Sequence, residues 1–349
     1  MKALTVEPGK AGSARLDDVD EPPESDGPVL VETLAVGVCG TDVEIVSGAY
    51  GWAPPGRDRL VLGHESLGRV KEAPAGSGLA QGDLVVGIVR RPDPVPCPAC
   101  AQDQWDFCRN GQYTERGIKS LDGYCSERYR IEPKFAVKVD SSLGSLGVLL
   151  EPASVVAKAW DQVDAIGSRQ AGWAPKTALV TGAGPIGLLA ALIGVERNMD
   201  VHVVDQVEAG LKPDLVHDLG ATYHHGDITQ AGPPPDVVIE CTGVGQLVFD
   251  VMQHTAPGGV VCLTGVSSGG RQLGVDAGAL NRTMVLENEA VVGSVNANRH
   301  HYQVGADALA AANRDWLARL ITRRVPLANW SDAFARKPDD VKVVIEVGS

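Results

Sequence analysis

The chain has 349 residues, 44% hydrophobic and 21% charged, a composition that excludes a disordered or collagen-like protein and, by length, gives about two domains. Thirty-one Lys and Arg against 44 Asp and Glu leave a net charge of −13, a field that repels nucleic acid and anionic membrane surfaces. Aromatic residues make up only 5%, so the core must come mainly from Val, Ile, Leu and Ala, which suits a parallel sheet buried between helix layers.

The opening MKALTV enters a strand-like pattern with no basic leader or long apolar stretch. No later segment offers the roughly 18 apolar residues of a membrane span, so the expectation is a cytoplasmic protein with neither membrane nor nucleic-acid partners. Its seven cysteines are odd in number and unevenly spread, which reads as reduced thiols or metal ligands rather than a disulfide framework. Residues up to about 150 are rich in Gly and Pro and carry short apolar runs, VLVETLAVGVCG, RLVLGHESLGRV and DLVVGIVRR, so this half is expected to be mostly β. From Pro175 strand and helix alternate: TALVTGAG, PIGLLAALIGVERN, DVHVVD, PDVVIECTG, GGVVCLTGV and AVVGSVN. A helix is expected over 306–322, and VKVVIEV closes the pattern as a strand that could return to the first domain. The fold class is α/β: a β-rich domain over 1–160 and 298–349, interrupted by a doubly wound, Rossmann-type domain over 161–297.

Gly182, Gly184 and Gly187 stand in GxGxxG spacing directly after a strand and before an apolar helix that opens with Pro185 and Ile186. Gly182 permits the tight turn, Gly184 lets the backbone approach a pyrophosphate, and Gly187 lets the helix pack on the strand with its first N–H groups facing the anion. The bland alternative is a Gly-rich turn. Asp205 ends the next strand, where a carboxylate accepts a ribose 2′-hydroxyl and repels a 2′-phosphate; with no Arg after it, NAD is favoured over NADP. Otherwise Asp205 simply ends a strand.

In the first half, Cys39-Gly40-Thr41-Asp42 and Gly63-His64-Glu65 each end an apolar run, and Glu151 lies near the change of pattern. Cys, His and carboxylates are zinc ligands, although a lone His is usually structural, and these parts are far apart in sequence. The order GVCGTD, GHE, EP, VTGAGPIG resembles the zinc-dependent medium-chain dehydrogenases. From VRRP through YTERGI, LDGYCSE and KFAVKV the chain is most similar to their glucose dehydrogenase branch.

That resemblance implies a GroES-like catalytic domain, with zinc held by Cys39, His64 and Glu151 and with Glu65 as a ligand or an alternating carboxylate. Thr41 would relay the substrate hydroxyl proton, and Asp42 would orient His64. Zinc would act as a Lewis acid toward the hydroxyl while hydride leaves for the nicotinamide. Thr242 and Asn296 would contact cofactor, and Glu115 with Thr41 and Glu151 would meet the substrate. Cys97, Cys100 and Cys108 resemble the family's structural zinc lobe, with Asp103 standing where a fourth Cys usually falls. Asp103 completes a zinc site, or the lobe is metal-free or weakly loaded, or the three are simple loop cysteines.

Val89 and Leu286 replace an Asn and a His that face the sugar in some members, and each removes a hydrogen bond. His300 and His301 are read as surface residues. The leading expectation is an NAD- and zinc-dependent oxidation of an aldose such as glucose at C1, to the lactone, by a homodimer or homotetramer. The alternatives are a secondary-alcohol dehydrogenase acting on a polyol, cyclitol or larger glycoside, and a non-catalytic nucleotide-binding protein.

Overall fold

The computed structural model describes residues 1–267, 269 and 272–348. They divide into two compact units: Met1–Ser154 together with the stretch from Asn296 onward, and Val155–Val295.

The first unit is built around the ten-residue strand Val29–Val38, VLVETLAVGV, whose alternate side chains are buried along most of its length. It pairs antiparallel with Glu65–Glu72 and with Lys342–Glu346. The resulting seven-stranded sheet runs in the order Ala136–Lys138, Leu84–Gly87, Glu65–Glu72, Val29–Val38, Lys342–Glu346, Ile321–Pro326, with Arg128–Ile131 also paired to Val29–Val38. The closing strand therefore does return to the β-rich part of the chain. A smaller sheet joins Arg90–Arg91, Thr114–Arg116 and Ser120–Leu121. The helix expected over 306–322 is two helices, Arg299–Ala311 and Arg314–Leu320. Asn313 between them is extended and accepts the Asp315 and Trp316 N–H groups, a helix N-cap that restarts the helix. Ile321 already belongs to a strand.

The second unit is a six-stranded parallel sheet, ordered Thr222–His225, Asp200–Asp205, Thr177–Thr181, Val237–Glu240, Val260–Leu263, Ala290–Gly293. The order reverses beside Thr177–Thr181, which is the doubly wound arrangement whose ligand crevice lies at the carboxyl ends of the strands. Runs such as VVIE and VVCL are Val-rich because both faces of these strands are covered. Leu179, Val204, Val238, Val251 and Val261 form one core cluster, and each such side chain contributes about 1.5–3 kcal/mol on burial. Thr222–His225, TYHH, is an edge strand too polar for its pattern to stand out. Among the described residues no helix is long and apolar enough to cross a membrane.

Candidate active site

Cys39 follows the long strand and caps the helix Gly40–Val46. Its Sγ accepts the Thr41 N–H at 3.3 Å, while its own N–H donates to Asp42 Oδ2 at 2.9 Å. This reciprocal cap fixes both Cys39 and Asp42. His64 sits in the turn before Glu65–Glu72, made possible by Gly63 at φ 90°, where a Cβ would lie 2.6 Å from Val36. The result places His64 Nε2 3.1 Å from Cys39 Sγ and His64 Nδ1 3.3 Å from Asp42 Oδ1.

Burial disfavours the charged imidazole, but the Asp42 carboxylate and Cys39 thiolate override it and hold the His64 pKa well above its ordinary value. Asp42 is likewise kept below the usual carboxylate range by His64, against its burial. Asp42 Oδ1 thus stands 3.3 Å from His64 Nδ1. The Thr41 hydroxyl is engaged by no other described group.

Ligand atoms of Cys39, His64 and Glu65 all lie within 4.8 Å of one another. A thiolate, an imidazole nitrogen and a carboxylate converging this closely fit zinc. Glu65 faces Gly37 across the strand pair, where a Cβ would stand 2.0 Å from Glu65 Oε2, so only glycine leaves room for the carboxylate. Both Glu65 oxygens accept from Lys342 Nζ, at 2.7 and 2.6 Å. Lys342 escaped sequence reasoning, although a single cation inside VKVVIEV was the available signal. Glu151 does not join the three-residue group. It is buried in the same electrostatic environment, and burial, opposed by His64 and reinforced by Glu65, pushes its pKa up to about 7.

Cys97, Cys100 and Cys108 also converge within 4.8 Å. Asp103 is not among the ligand atoms that converge with these thiols: it is exposed and takes a left-handed φ of 58° at the end of the short helix Cys100–Gln102. The Cys97 thiol is lowered to about 6, first by the Arg109 N–H at 3.4 Å, and burial raises Cys100 to about 11. The lobe offers three thiol ligands where a closed zinc site takes four.

Glu115 is not a solvated loop carboxylate. It is 6% exposed, its Oε1 accepts from Arg90 Nε at 3.0 Å and from Asn296 Nδ2 at 2.8 Å, and Arg90 Nη2 lies 3.0 Å from the same oxygen. Arg90, directly opposite Glu115 in its sheet, was also missed; its guanidinium lies 3.8 Å over the Tyr113 ring. Asn296, at φ 63°, belongs to this first unit. Val89 is buried and apolar, whereas Leu286 is 61% exposed on Ala277–Glu287. His300 is exposed, but His301 is buried because its ring accepts the Asn298 N–H and so closes a helix cap.

In the second unit, Gly182 at φ 84° turns the chain out of Thr177–Thr181. A Cβ there would press on Thr242 at 2.9 Å, and one on Gly187 would collide with the Gly182 carbonyl at 1.8 Å. A Cβ on Gly184 would meet nothing within 4 Å, which leaves open space before Pro185–Glu196. Pro185 has no N–H to satisfy, while those of Ile186 and Gly187 open the helix, a cradle that fits a pyrophosphate. Asp205 Oδ2 accepts the Ala183 N–H at 2.6 Å, and its Oδ1 accepts Gln206 and Val207 N–H groups. Lys212 Nζ lies 3.5 Å away, a cation beside Asp205 that the absence of an Arg after it did not foretell. The fully buried Glu240 braces the same loops, accepting from Thr181 Oγ1 and Thr242 N–H.

Residues 25–141 match the alcohol dehydrogenase GroES-like domain, and residues 144–347 match the glucose dehydrogenase C-terminus. With the thiol–imidazole–carboxylate cluster and the glycine-rich nucleotide cradle, these domains define an alcohol-dehydrogenase-like oxidoreductase. The chain is 41% identical to a glucose 1-dehydrogenase of Methanocella arvoryzae, with 100% of both chains covered. It is 39% identical to one of Halobacterium salinarum, with 95% of each covered. Among solved structures it is similar to Haloferax mediterranei glucose dehydrogenase in complex with NADP, Zn and gluconolactone, with TM-score 0.92, 34% identity and 100% of both chains covered. The chain belongs to the glucose dehydrogenase family of the zinc-dependent medium-chain dehydrogenases.

Proposed function

We propose that this protein oxidises the C1 hydroxyl of an aldose such as glucose to the lactone, using zinc and a nicotinamide dinucleotide. The observation that carries this reading is the convergence of Cys39, His64 and Glu65 within 4.8 Å in a chain similar to glucose dehydrogenases along its whole length. Cys39 and His64 would hold the metal, with carboxylates drawn from Glu65 and Glu151. When bound, zinc supplies Lewis acidity toward the substrate oxygen and the nicotinamide accepts two electrons as hydride.

The chain's own residues do the rest. Asp42 fixes the ring of His64 so that Nε2 faces Cys39. Thr41 would relay the proton that the sugar hydroxyl loses, accepting it at Oγ1 as its own hydroxyl proton passes on to water. Glu115 spends Oε1 on Arg90 and Asn296, which leaves Oε2 to accept a sugar hydroxyl. The N–H groups after Gly184 bind pyrophosphate, and Asp205 takes the ribose 2′-hydroxyl, which favours NAD; Lys212 beside it makes NADP tolerable.

Seven free thiols support a reducing compartment, the cytoplasm. Exposed Val285 and Leu286 next to the edge strand Ala290–Gly293 support a homo-oligomer joined through that edge. The apolar Val89 favours, as the second reading, a polyol, a cyclitol or a larger glycoside.

The test is NADH or NADPH formation by zinc-loaded protein with aldoses, polyols and cyclitols. Rapid turnover of glucose or a close aldose is expected, and Cys39→Ala should abolish it while NADH binding persists. Full activity of Cys39→Ala would overturn the zinc assignment.

A further inference from the structure

Tyr50 and Trp52 stand out among the described side chains of the first unit as a pair of large aromatic rings left in solvent, 41% and 48% exposed. Their centroids are 5.0 Å apart and their planes lie at 74°, so each ring supports the other edgewise and keeps a free face. The segment is held rigidly. Gly51, at φ 98°, has Ile45 beneath it, where a Cβ would stand 3.1 Å away. Trp52 donates its N–H to Ile118 O at 2.9 Å and accepts Ser120 N–H at 3.0 Å.

Those partners belong to the turn that carries Glu115. Glu115 and Lys119 exchange main-chain hydrogen bonds at 2.9 Å, and Ile118 N–H closes on Glu115 O at 3.1 Å. The Tyr50 hydroxyl is raised in pKa by burial and then by Glu115, Tyr113 and Glu44, which puts it within the field of the same carboxylate. Tyr113 is itself held between Arg90 and Lys119, at 3.8 and 3.9 Å. One rigid turn thus carries a carboxylate with a free oxygen and, beside it, exposed aromatic faces. Pyranose recognition combines these two elements: hydroxyls meet the carboxylate, and the apolar C–H face of a ring lies on an aromatic surface.

We infer that Tyr50 and Trp52 form a second sugar subsite, which takes the non-reacting ring of a reducing disaccharide while Glu115 binds the ring oxidised at C1. The inference rests on the aldose reading above. No new chemistry is needed, since C1 of the reducing ring still loses its hydride to the nicotinamide and its hydroxyl proton through Thr41 to water.

The experiment compares kcat/KM for glucose, cellobiose and maltose in the wild-type protein, Trp52→Ala and Trp52→Phe, with molar mass measured by light scattering. At least one disaccharide should be oxidised. Trp52→Ala should lower its kcat/KM relative to that of glucose by about five- to tenfold, with Trp52→Phe restoring most of the loss. Glucose turnover with both disaccharides inert, or a ratio unchanged in Trp52→Ala, would overturn the subsite and leave the aldose reading standing. A changed molar mass in Trp52→Ala would also overturn it, assigning the rings to a contact between copies. Absence of glucose turnover would bring down the aldose reading and this inference with it.

Discussion

Lys342 Nζ lies 2.7 and 2.6 Å from the two carboxylate oxygens of Glu65, and both side chains are almost wholly buried. The lysine also donates to Val38 O at 3.3 Å, so it ties the last strand to the end of the central one. Burial opposes its charge, but Glu65 and Cys39 raise its pKa. Lys342→Met would leave a buried carboxylate without its cation, at a cost of about 3–5 kcal/mol. Urea denaturation of metal-free protein should show this loss, and Lys342→Met/Glu65→Leu should recover most of it. Equal stability of Lys342→Met and wild type would mean that water already compensates Glu65.

Arg90 donates its Nε–H to Glu115 Oε1 and holds Nη2 at 3.0 Å from the same oxygen. Arg90→Gln should therefore misplace the carboxylate and raise the KM for glucose about tenfold, the loss expected for one charge-assisted hydrogen bond. The Kd of NADH, measured by fluorescence, should stay the same. A fall in kcat with no change in KM would contradict a positioning role.

Asp205 carries two duties, clamping the Ala183 N–H at 2.6 Å and presenting negative charge toward a ribose. Asp205→Ala should narrow the ratio of NADP to NAD dissociation constants about tenfold. Lys212→Ala should act in the opposite sense, weakening NADP more than NAD. Fluorescence titration with both dinucleotides decides this; a ratio unmoved in either variant would place discrimination elsewhere.

Asp340 receives Arg323 at 2.6 and 2.7 Å, a two-pronged pair with the carboxylate 9% exposed. Arg323 holds the Asp340 pKa below its ordinary value of 3.8. The folded chain therefore binds that proton less readily than the unfolded one, and the stabilisation is present above 3.8 and lost as the pH falls through the lower folded value. Asp340→Asn should cost about 1–2 kcal/mol at pH 7 and progressively less at a pH well below 3.8, as read from denaturant midpoints. The same penalty at both pH values would exclude the charge as its cause.

Periodicity made the second unit legible, because parallel strands covered on both faces appear as unbroken Val-rich runs. Thr222–His225 was lost because an edge strand has only one neighbour and can be polar. The same holds for the site. Cys39, His64 and Asp42 were readable from short motifs, since each is placed by its own turn or cap. Lys342 and Arg90 were not, because their partners stand 277 and 25 residues away and only strand register brings them together. Asp103 was one of several readings that the motif left open, and it stands exposed and outside the group of converging thiols. The split of 306–322 into two helices follows from one polar cap, Asn313, within an otherwise helical pattern.

The strand Lys342–Glu346 lies inside the large sheet of the first unit, between Val29–Val38 and Ile321–Pro326. On the ribosome, its sheet partner Val29–Val38 emerges more than 300 residues before it. The metal-ligand region must therefore wait, with Glu65 uncompensated, until Lys342 has been made. All of Val155–Val295, a compact unit by its own contacts, has by then been made. The nucleotide-binding unit is thus complete before the catalytic sheet closes, and termination between Val295 and Lys342 yields a chain that contains the whole of that unit but lacks the cation beside Glu65.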